Sequence, residues 1–129
     1  MIIKKVLAAS LSTLILAAPL VQADVYELRT YTTYEGRLAD LLARFENHTV
    51  RLFERHGMHN VAYWVPQDQP DTLIYIISHA DREAATANWD AFRNDEDWLA
   101  AREASRQNGA LVREVVSVFM DATSWSPMQ

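Results

Sequence analysis

The sequence predicts a single α+β domain of order β-α-β-β-α-β, with its four strands in one antiparallel sheet. Two patterns carry this prediction. Short segments rich in β-branched and aromatic residues alternate with longer segments in which apolar residues recur every three or four positions. Both helical segments connect one strand to another, and such connections are right-handed in nearly every protein. We therefore expect both helices on the same face of the sheet, in a ferredoxin-like arrangement.

The first 23 residues are predicted to be a signal peptide that precedes the domain. Two lysines come before an almost wholly apolar run over residues 6–20, and the motif ending at Ala23 suits a signal peptidase. The apolar run is shorter than the roughly 20 residues that span a bilayer. We expect cleavage near Ala23, a domain over residues 24–129, a periplasmic or secreted location, and no stable membrane insertion after cleavage.

The first half of the domain is predicted as a strand followed by a long helix. Residues 25–33 are mostly β-branched and aromatic, and residues 37–55 place leucine and phenylalanine on one helical face. Asp40 and Arg44, four positions apart, are expected to pair on the solvent side of this helix. Gly57 suits the left-handed residue that often follows a helix end.

The second half supplies three more strands and a helix broken in its middle. Strands are expected over residues 59–65, 72–78 and 112–122. Asp81 is a predicted helix cap, and Asn94-Asp95 is expected to break the helical segment and cap its continuation to about residue 107.

The predicted sheet has apolar side chains on both faces, although the chain supplies helices for only one. The third strand is an example, because its apolar residues alternate between the two faces of the sheet. Leu73, Tyr75 and Ile77 face one side, and Ile74 and Ile76 face the other. Each large apolar side chain that stays exposed to water on such a face loses about 1.5–3 kcal/mol of the free energy that its burial would contribute. A second copy packed face to face removes that cost, so we expect a homodimer whose two sheets share one core.

Composition excludes several classes of function. Removal of the predicted signal peptide leaves ten arginines against seventeen acids, a net charge near −7, which disfavours nucleic acid as a partner. The chain has no cysteine, and residues 24–129 have no lysine, so thiolate and Schiff-base chemistry are excluded. Three isolated glycines cannot form a phosphate-binding loop, and the four histidines lack a metal-binding spacing. We therefore expect neither a cofactor nor a metal.

Several segments together resemble one family, NIPSNAP. They are residues 25–31 (VYELRTY), 52–57 (LFERHG), Tyr63-Trp64, residues 94–98 (NDEDW) and the terminal residues 124–127 (SWSP). The resemblance covers essentially the whole domain. It implies the dimeric α/β barrel superfamily, in which two such sheets close into a barrel, and this agrees with the homodimer expected from the two apolar sheet faces.

The candidate ligand site centres on the first strand. Glu27, Arg29 and Tyr31 alternate there and share one face, which we expect to point into the space between two sheets, while Tyr26 and Leu28 pack under the helices. Arg29 could hold an anion while Tyr31 donates a hydrogen bond. The alternative is that Glu27 and Arg29 neutralise each other and tie two subunits together.

Two further candidates are His56 and Trp64. His56, at a helix end, is a candidate general acid or base, although a packing role beside the helix dipole is the simpler interpretation. Trp64 could line an aromatic pocket with Trp89 and Trp98, which also suit the core as members of amphipathic helices.

The sequence leaves two functions open. The first is a homodimeric module that binds a small apolar or carbonyl-containing molecule or serves only assembly. The second is a cofactor-independent, monooxygenase-like enzyme acting on a small carbonyl or aromatic compound. Superfamily analogy alone suggests the second, because one fold serves many functions.

Overall fold

A computed structural model describes residues 2–17 and 23–129 of the chain. The elements are, in order, β1 (Val25–Thr33), α1 (Leu38–Arg44), a π-helical segment (Phe45–Thr49), α2 (Val50–Arg55), β2 (His59–Trp64), β3 (Thr72–His79), α3 (Arg82–Arg93), α4 (Glu96–Ser105) and β4 (Val112–Asp121). The predicted α+β order is confirmed, and each element begins and ends within two residues of its predicted bounds.

The segment before the domain contributes no helix or strand over residues 2–17. Residues 18–22, which include most of the predicted cleavage motif, lie outside the described residues. Within the described part of the chain, no helix combines the length and apolar character that crossing a membrane requires.

The four strands form one antiparallel sheet of order β2-β3-β1-β4. β1 lies inside the sheet, where Arg29 is flanked by Tyr75 of β3 and Ser117 of β4. Because neighbouring residues across strands project to the same face, the side chains of these three positions share one surface. The centre of that surface is therefore built from segments far apart in sequence.

The helices cover one face of the sheet and enclose the core. Its aromatic centre is Tyr75, which is fully buried and contacts the rings of Phe45, Phe53 and Tyr63 at centroid distances of 5.2, 6.0 and 5.1 Å. Tilted and stacked ring contacts of this kind add to the stabilisation from burial alone. The other fully or nearly fully buried apolar members are Leu41, Leu52, Met58, Leu73, Ile77, Trp89, Phe92 and Leu111.

The predicted helix ends are confirmed at the places where the chain caps them. The Asp81 side chain accepts a hydrogen bond from the Ala84 amide at 2.6 Å and starts α3, while Asp95 caps α4 through the amides of Asp97 and Trp98. Gly57 follows α2 with φ of 77°, in the left-handed region that glycine adopts readily.

The predicted Asp40–Arg44 pair is wrong. Arg37 pairs with Asp40 instead, at 3.3 Å, and Arg44 turns towards α4 with only 8% of its surface exposed. Its guanidinium lies 5.0 Å from the centre of the Trp98 ring and donates to the Ser105 hydroxyl at 3.2 Å. These two contacts explain why Arg44 faces inwards.

The opposite face of the sheet is not covered by any described helix and is apolar, as predicted. Val116 and Val118 of β4 are each 47% exposed, and Trp64 of β2 is 50% exposed. The C-terminal tail crosses one end of this open face, where the Tyr26 hydroxyl donates to the Gln129 carbonyl at 2.6 Å. The rest of the open face is available to a partner.

Candidate functional site

The three candidate side chains of β1 face the helices, so the prediction that they point away from the helices, into a space between two sheets, is wrong. Glu27, Arg29 and Tyr31 were expected between two sheets; instead, the Tyr31 ring contacts Phe45 at 5.8 Å and the Trp89 indole donates to Glu27 at 2.7 Å. Tyr26 and Leu28, expected under the helices, belong to the open face. These polar residues can point inwards because partners distant in sequence, His79, Trp89 and Ser117, donate hydrogen bonds to Glu27.

Glu27 is the centre of this polar network and is 1% exposed. Its carboxylate accepts hydrogen bonds from four side chains, namely Arg29 at 2.7 Å, Trp89 at 2.7 Å, Ser117 at 2.7 Å and His79 at 2.9 Å. Burial by itself raises the pKa of a carboxyl group, but the four donors outweigh it and lower the pKa of Glu27 to about 2. Glu27 is therefore a buried anion at neutral pH.

His79 is fully buried and holds Glu27 in place from the end of β3. The Asn88 amide nitrogen donates to the Gly57 carbonyl at 3.2 Å, which fixes the amide orientation and directs the same nitrogen at His79 Nδ1, also at 3.2 Å. Nδ1 is then an acceptor, so the proton of the imidazole is on Nε2, which donates to Glu27. The imidazole is therefore a positioning group for Glu27 in this arrangement.

Arg29 connects the buried carboxylate to open space. Its guanidinium donates to Glu27 and to the Tyr31 hydroxyl at 3.2 Å, and it stacks on the Trp89 ring at 4.2 Å. Its Nε is buried and has no hydrogen-bond partner among the described residues. The Tyr31 hydroxyl also accepts a hydrogen bond from Tyr75 at 3.0 Å, so its own hydrogen can be donated to another group.

A pocket of about 290 Å³ opens beside these groups, between the sheet and the two C-terminal helices. Its described lining contains three arginines and four aromatic rings but no carboxylate. The lining residues are Arg29, Tyr31, Trp89, Phe92, Arg93, Trp98, Leu99 and Arg102. Arginines and aromatic faces together favour a planar ligand that carries negative charge or a carbonyl oxygen.

Two of the five predicted site residues lie elsewhere. The His56 Nε2 is 2.6 Å from Asp95 Oδ2, and this hydrogen bond lowers the pKa of Asp95 well below its usual range. His56 thus ties α2 to the start of α4. Trp64 lies on the open face of the sheet, on the opposite side from the pocket. The structure brings together Glu27, Arg29 and Tyr31 only.

Sequence reasoning missed the Glu27 partner Ser117 and two residues of the pocket lining, Arg93 and Arg102. Ser117, Arg93 and Arg102 stand in amphipathic segments where nothing distinguishes them from surface residues. Trp89, which the sequence offers as the lining of an aromatic pocket, does line this one. Across the described residues, no cluster of three or more histidine or carboxylate side chains has the arrangement of a metal site.

The fold and site define a ferredoxin-like α+β domain with a polar pocket between its sheet and helices. A NIPSNAP family model matches residues 26–127, and the chain belongs to the NIPSNAP family. This confirms the resemblance found in the sequence. No curated protein matches the chain.

Solved structures of the same family share the fold. A NIPSNAP family protein of unknown function from Agrobacterium tumefaciens is similar with a TM-score of 0.72 and 19% identity, over 84% of this chain and 96% of that one. An uncharacterised NIPSNAP-like domain protein from Burkholderia xenovorans is similar with a TM-score of 0.70 and 13% identity, over 82% and 90%.

One similar structure is an enzyme. SnoaB, a cofactor-independent oxygenase from Streptomyces nogalater, has a TM-score of 0.59 and 18% identity, over 81% of this chain and 98% of that one. At these identities, the likeness to all three proteins concerns the fold alone.

Proposed function

We propose that the protein is an exported, homodimeric module that binds a small aromatic carboxylate in the pocket beside Arg29. The observation that carries this proposal is the state of Arg29. Its guanidinium is held by Glu27 and Trp89, yet it lines the pocket with a buried Nε that has no partner among the described residues. A preorganised cation of this kind suits an anionic ligand.

The rest of the pocket supports the same ligand class. Arg93 and Arg102 add two positive charges to the lining, and the rings of Trp89 and Trp98 offer faces on which a planar molecule can stack. The Tyr31 hydroxyl has a hydrogen to donate to a carbonyl or carboxylate oxygen. Benzoate combines a planar ring with a carboxylate and is therefore a suitable first probe.

Binding is tested with benzoate and benzamide, two molecules of similar shape that differ in charge. Because Trp89 and Trp98 line the pocket, we expect tryptophan fluorescence to change saturably with benzoate and far less with benzamide. The variant Arg93→Gln should weaken benzoate binding roughly tenfold, as loss of one charge-assisted hydrogen bond predicts. The control Arg51→Gln removes the same charge from an exposed position of α2 and should leave binding unchanged. Equal affinity for the two probes would contradict the proposal.

The homodimer is supported by the open face of the sheet. Val116, Val118 and Trp64 leave apolar surface there that a second copy would bury. Native mass spectrometry of the protein from its own host tests dimerisation, export and ligand retention together. We expect a dimer of chains that begin near residue 24, and a monomer at micromolar concentration would contradict this part of the proposal.

A catalytic role is the second candidate, and the hydrogen bonds of Tyr31 favour it. Arg29 and Tyr75 both donate to its hydroxyl, which leaves the phenolic hydrogen to polarise a substrate carbonyl in the pocket. In a cofactor-independent oxygenation, an aromatic substrate would itself supply the electrons: a CH₂ group becomes C=O and the second oxygen atom leaves as water. Oxygen consumption with a panel of hydroxylated aromatic compounds tests this, and Tyr31→Phe should abolish it.

A further inference from the structure

A second group of arginines converges beside the pocket, where α1 meets the end of α4. Arg44 comes from α1, and Arg102 and Arg106 come from the last turn of α4 and the residue after it. With Ala110, Leu111 and Val112, these three arginines line a separate cavity of about 130 Å³. A single water has a share of liquid volume of about 30 Å³, so the cavity accommodates a group of several heavy atoms.

The three arginines have no counter-charge in the described part of the chain. None of them is within ion-pair distance of a carboxylate there, although the protein as a whole is acidic with a net charge of −5. Arg102 and Arg106 are four positions apart near a helix end, an arrangement in which like charges repel. Burial, and after it the positive charges of Arg102 and Arg106, lower the pKa of Arg44.

The packing of Arg44 alone does not account for this cluster. Stacking on Trp98 and the bond to Ser105 use one face and one nitrogen of the guanidinium. Arg44 is more than nine-tenths buried and lines the cavity. Its Nε atom is also buried, yet it has no hydrogen-bond partner among the residues described. The negative end of the α4 dipole favours Arg102 and Arg106, but it does not explain why a third cation is buried against them.

We infer that Arg44, Arg102 and Arg106 form a binding site for a phosphate-sized oxyanion, distinct from the aromatic pocket. Three guanidinium groups offer enough donors to surround a tetrahedral anion, and the small, partly apolar cavity excludes a bulky ligand. The chemistry is shared by free phosphate and by the phosphate of a monoester. This site does not depend on the aromatic carboxylate proposed above, since only Arg102 lines both cavities.

The test measures binding of inorganic phosphate and of methyl phosphate to the full protein by isothermal titration calorimetry, in sodium chloride of matched ionic strength. We expect saturable binding with one site per chain. Arg106→Gln should weaken it roughly tenfold, because one charge-assisted contact is lost. Arg93→Gln is the matched control, since it removes the same charge from the aromatic pocket only and should leave phosphate affinity unchanged. Tighter binding of methyl phosphate than of inorganic phosphate would identify a monoester as the ligand.

The variants also separate the two proposed sites. Arg106 is exposed, so the Arg106→Gln variant should fold like the parent protein. Arg44→Met is a second variant, which removes the buried cation. A rise in Tm with phosphate that is equal in the parent and in Arg106→Gln would reflect general exclusion of the salt and would overturn the inference. Failure of benzoate binding with intact phosphate binding would overturn only the aromatic pocket.

Discussion

The carboxylate of Glu27 and the guanidinium of Arg29, two residues apart on β1, form an ion pair of 2.7 Å under the helices. The side chains are 1% and 11% exposed, so water screens the pair little. Glu27 faces inwards and collects donors, while Arg29 extends to the pocket edge. The pair therefore fixes the Arg29 guanidinium at the edge of the pocket.

Glu27→Gln should destabilise the protein in a pH-dependent way. The pKa of Glu27 is about 2 in the folded chain and 4.5 ordinarily, so its charge stabilises the fold fully above pH 4.5 and ceases to do so as the pH falls towards 2. We expect a loss of about 3 kcal/mol in the free energy of unfolding at pH 7. Denaturant titrations at pH 7 and pH 3 measure it.

The difference between the parent and Glu27→Gln should shrink between these two pH values. Glu103→Gln, which changes an exposed carboxylate of α4, is the control and should have little effect at either pH. A Glu27→Gln penalty that is the same at pH 3 as at pH 7 would show that the carboxylate charge is not the stabilising feature.

Arg29→Met should cost about 3 kcal/mol in the free energy of unfolding, the lower end of the range for breaking a buried pair. The cost stays low because His79, Trp89 and Ser117 still donate to Glu27. A double-mutant cycle with Glu27→Gln measures the coupling, and Arg29→Met should cost less in that background. Strictly additive effects would mean that the two side chains stabilise the fold independently.

Val118→Glu should convert the proposed dimer into a monomer without unfolding it. Val118 is on the open face and 47% exposed, so a charge there would be buried only in a dimer. Val115→Glu is the matched control, because Val115 belongs to the same strand and is 44% exposed but lies on the helix side of the sheet. Analytical ultracentrifugation compares the two, and a dimer of Val118→Glu would exclude this face as the interface.

Gly57→Ala should disturb the site more than Gly36→Ala. Both glycines have φ near 75°, so either alanine costs about 1–2 kcal/mol for the left-handed conformation. Only at Gly57 would the new methyl group meet a neighbour, the Asn88 side chain at 3.2 Å, whereas it meets nothing within 4 Å at Gly36. Because Asn88 orients His79, the imidazole NMR signals of His79 should shift in Gly57→Ala alone. Unchanged His79 signals in both variants would show that Asn88 does not orient His79.

The element order could be predicted because each segment carries its own local signal. Asp81 sits just before a helical pattern, and Gly57 sits just after one. The π-helical segment could not be predicted, since the apolar spacing through Phe45 and Thr49 is compatible with an ordinary α-helix. Its signature is a backbone contact, the hydrogen bond from the Val50 amide to the Phe45 carbonyl five residues earlier.

Which side chains of β1 face the helices could not be predicted either, for a different reason. A local rule places Leu28 inwards and the charged Glu27 and Arg29 outwards. The structure reverses this because His79 and Ser117, which follow 52 and 90 residues later, supply the hydrogen bonds that make burial of Glu27 tolerable. The compensating partners are distant in sequence, and no spacing rule connects them.

The placement of β1 between β3 and β4 determines when the domain can complete its sheet. During synthesis β1 emerges first, but the strands that pair with its two edges, β3 and β4, emerge later. Contacts so distant along the sequence slow folding, because the entropy of closing long loops opposes them. Until β4 has been synthesised, Glu27 lacks its hydrogen bond from Ser117, so the pocket is among the last features of the domain to form.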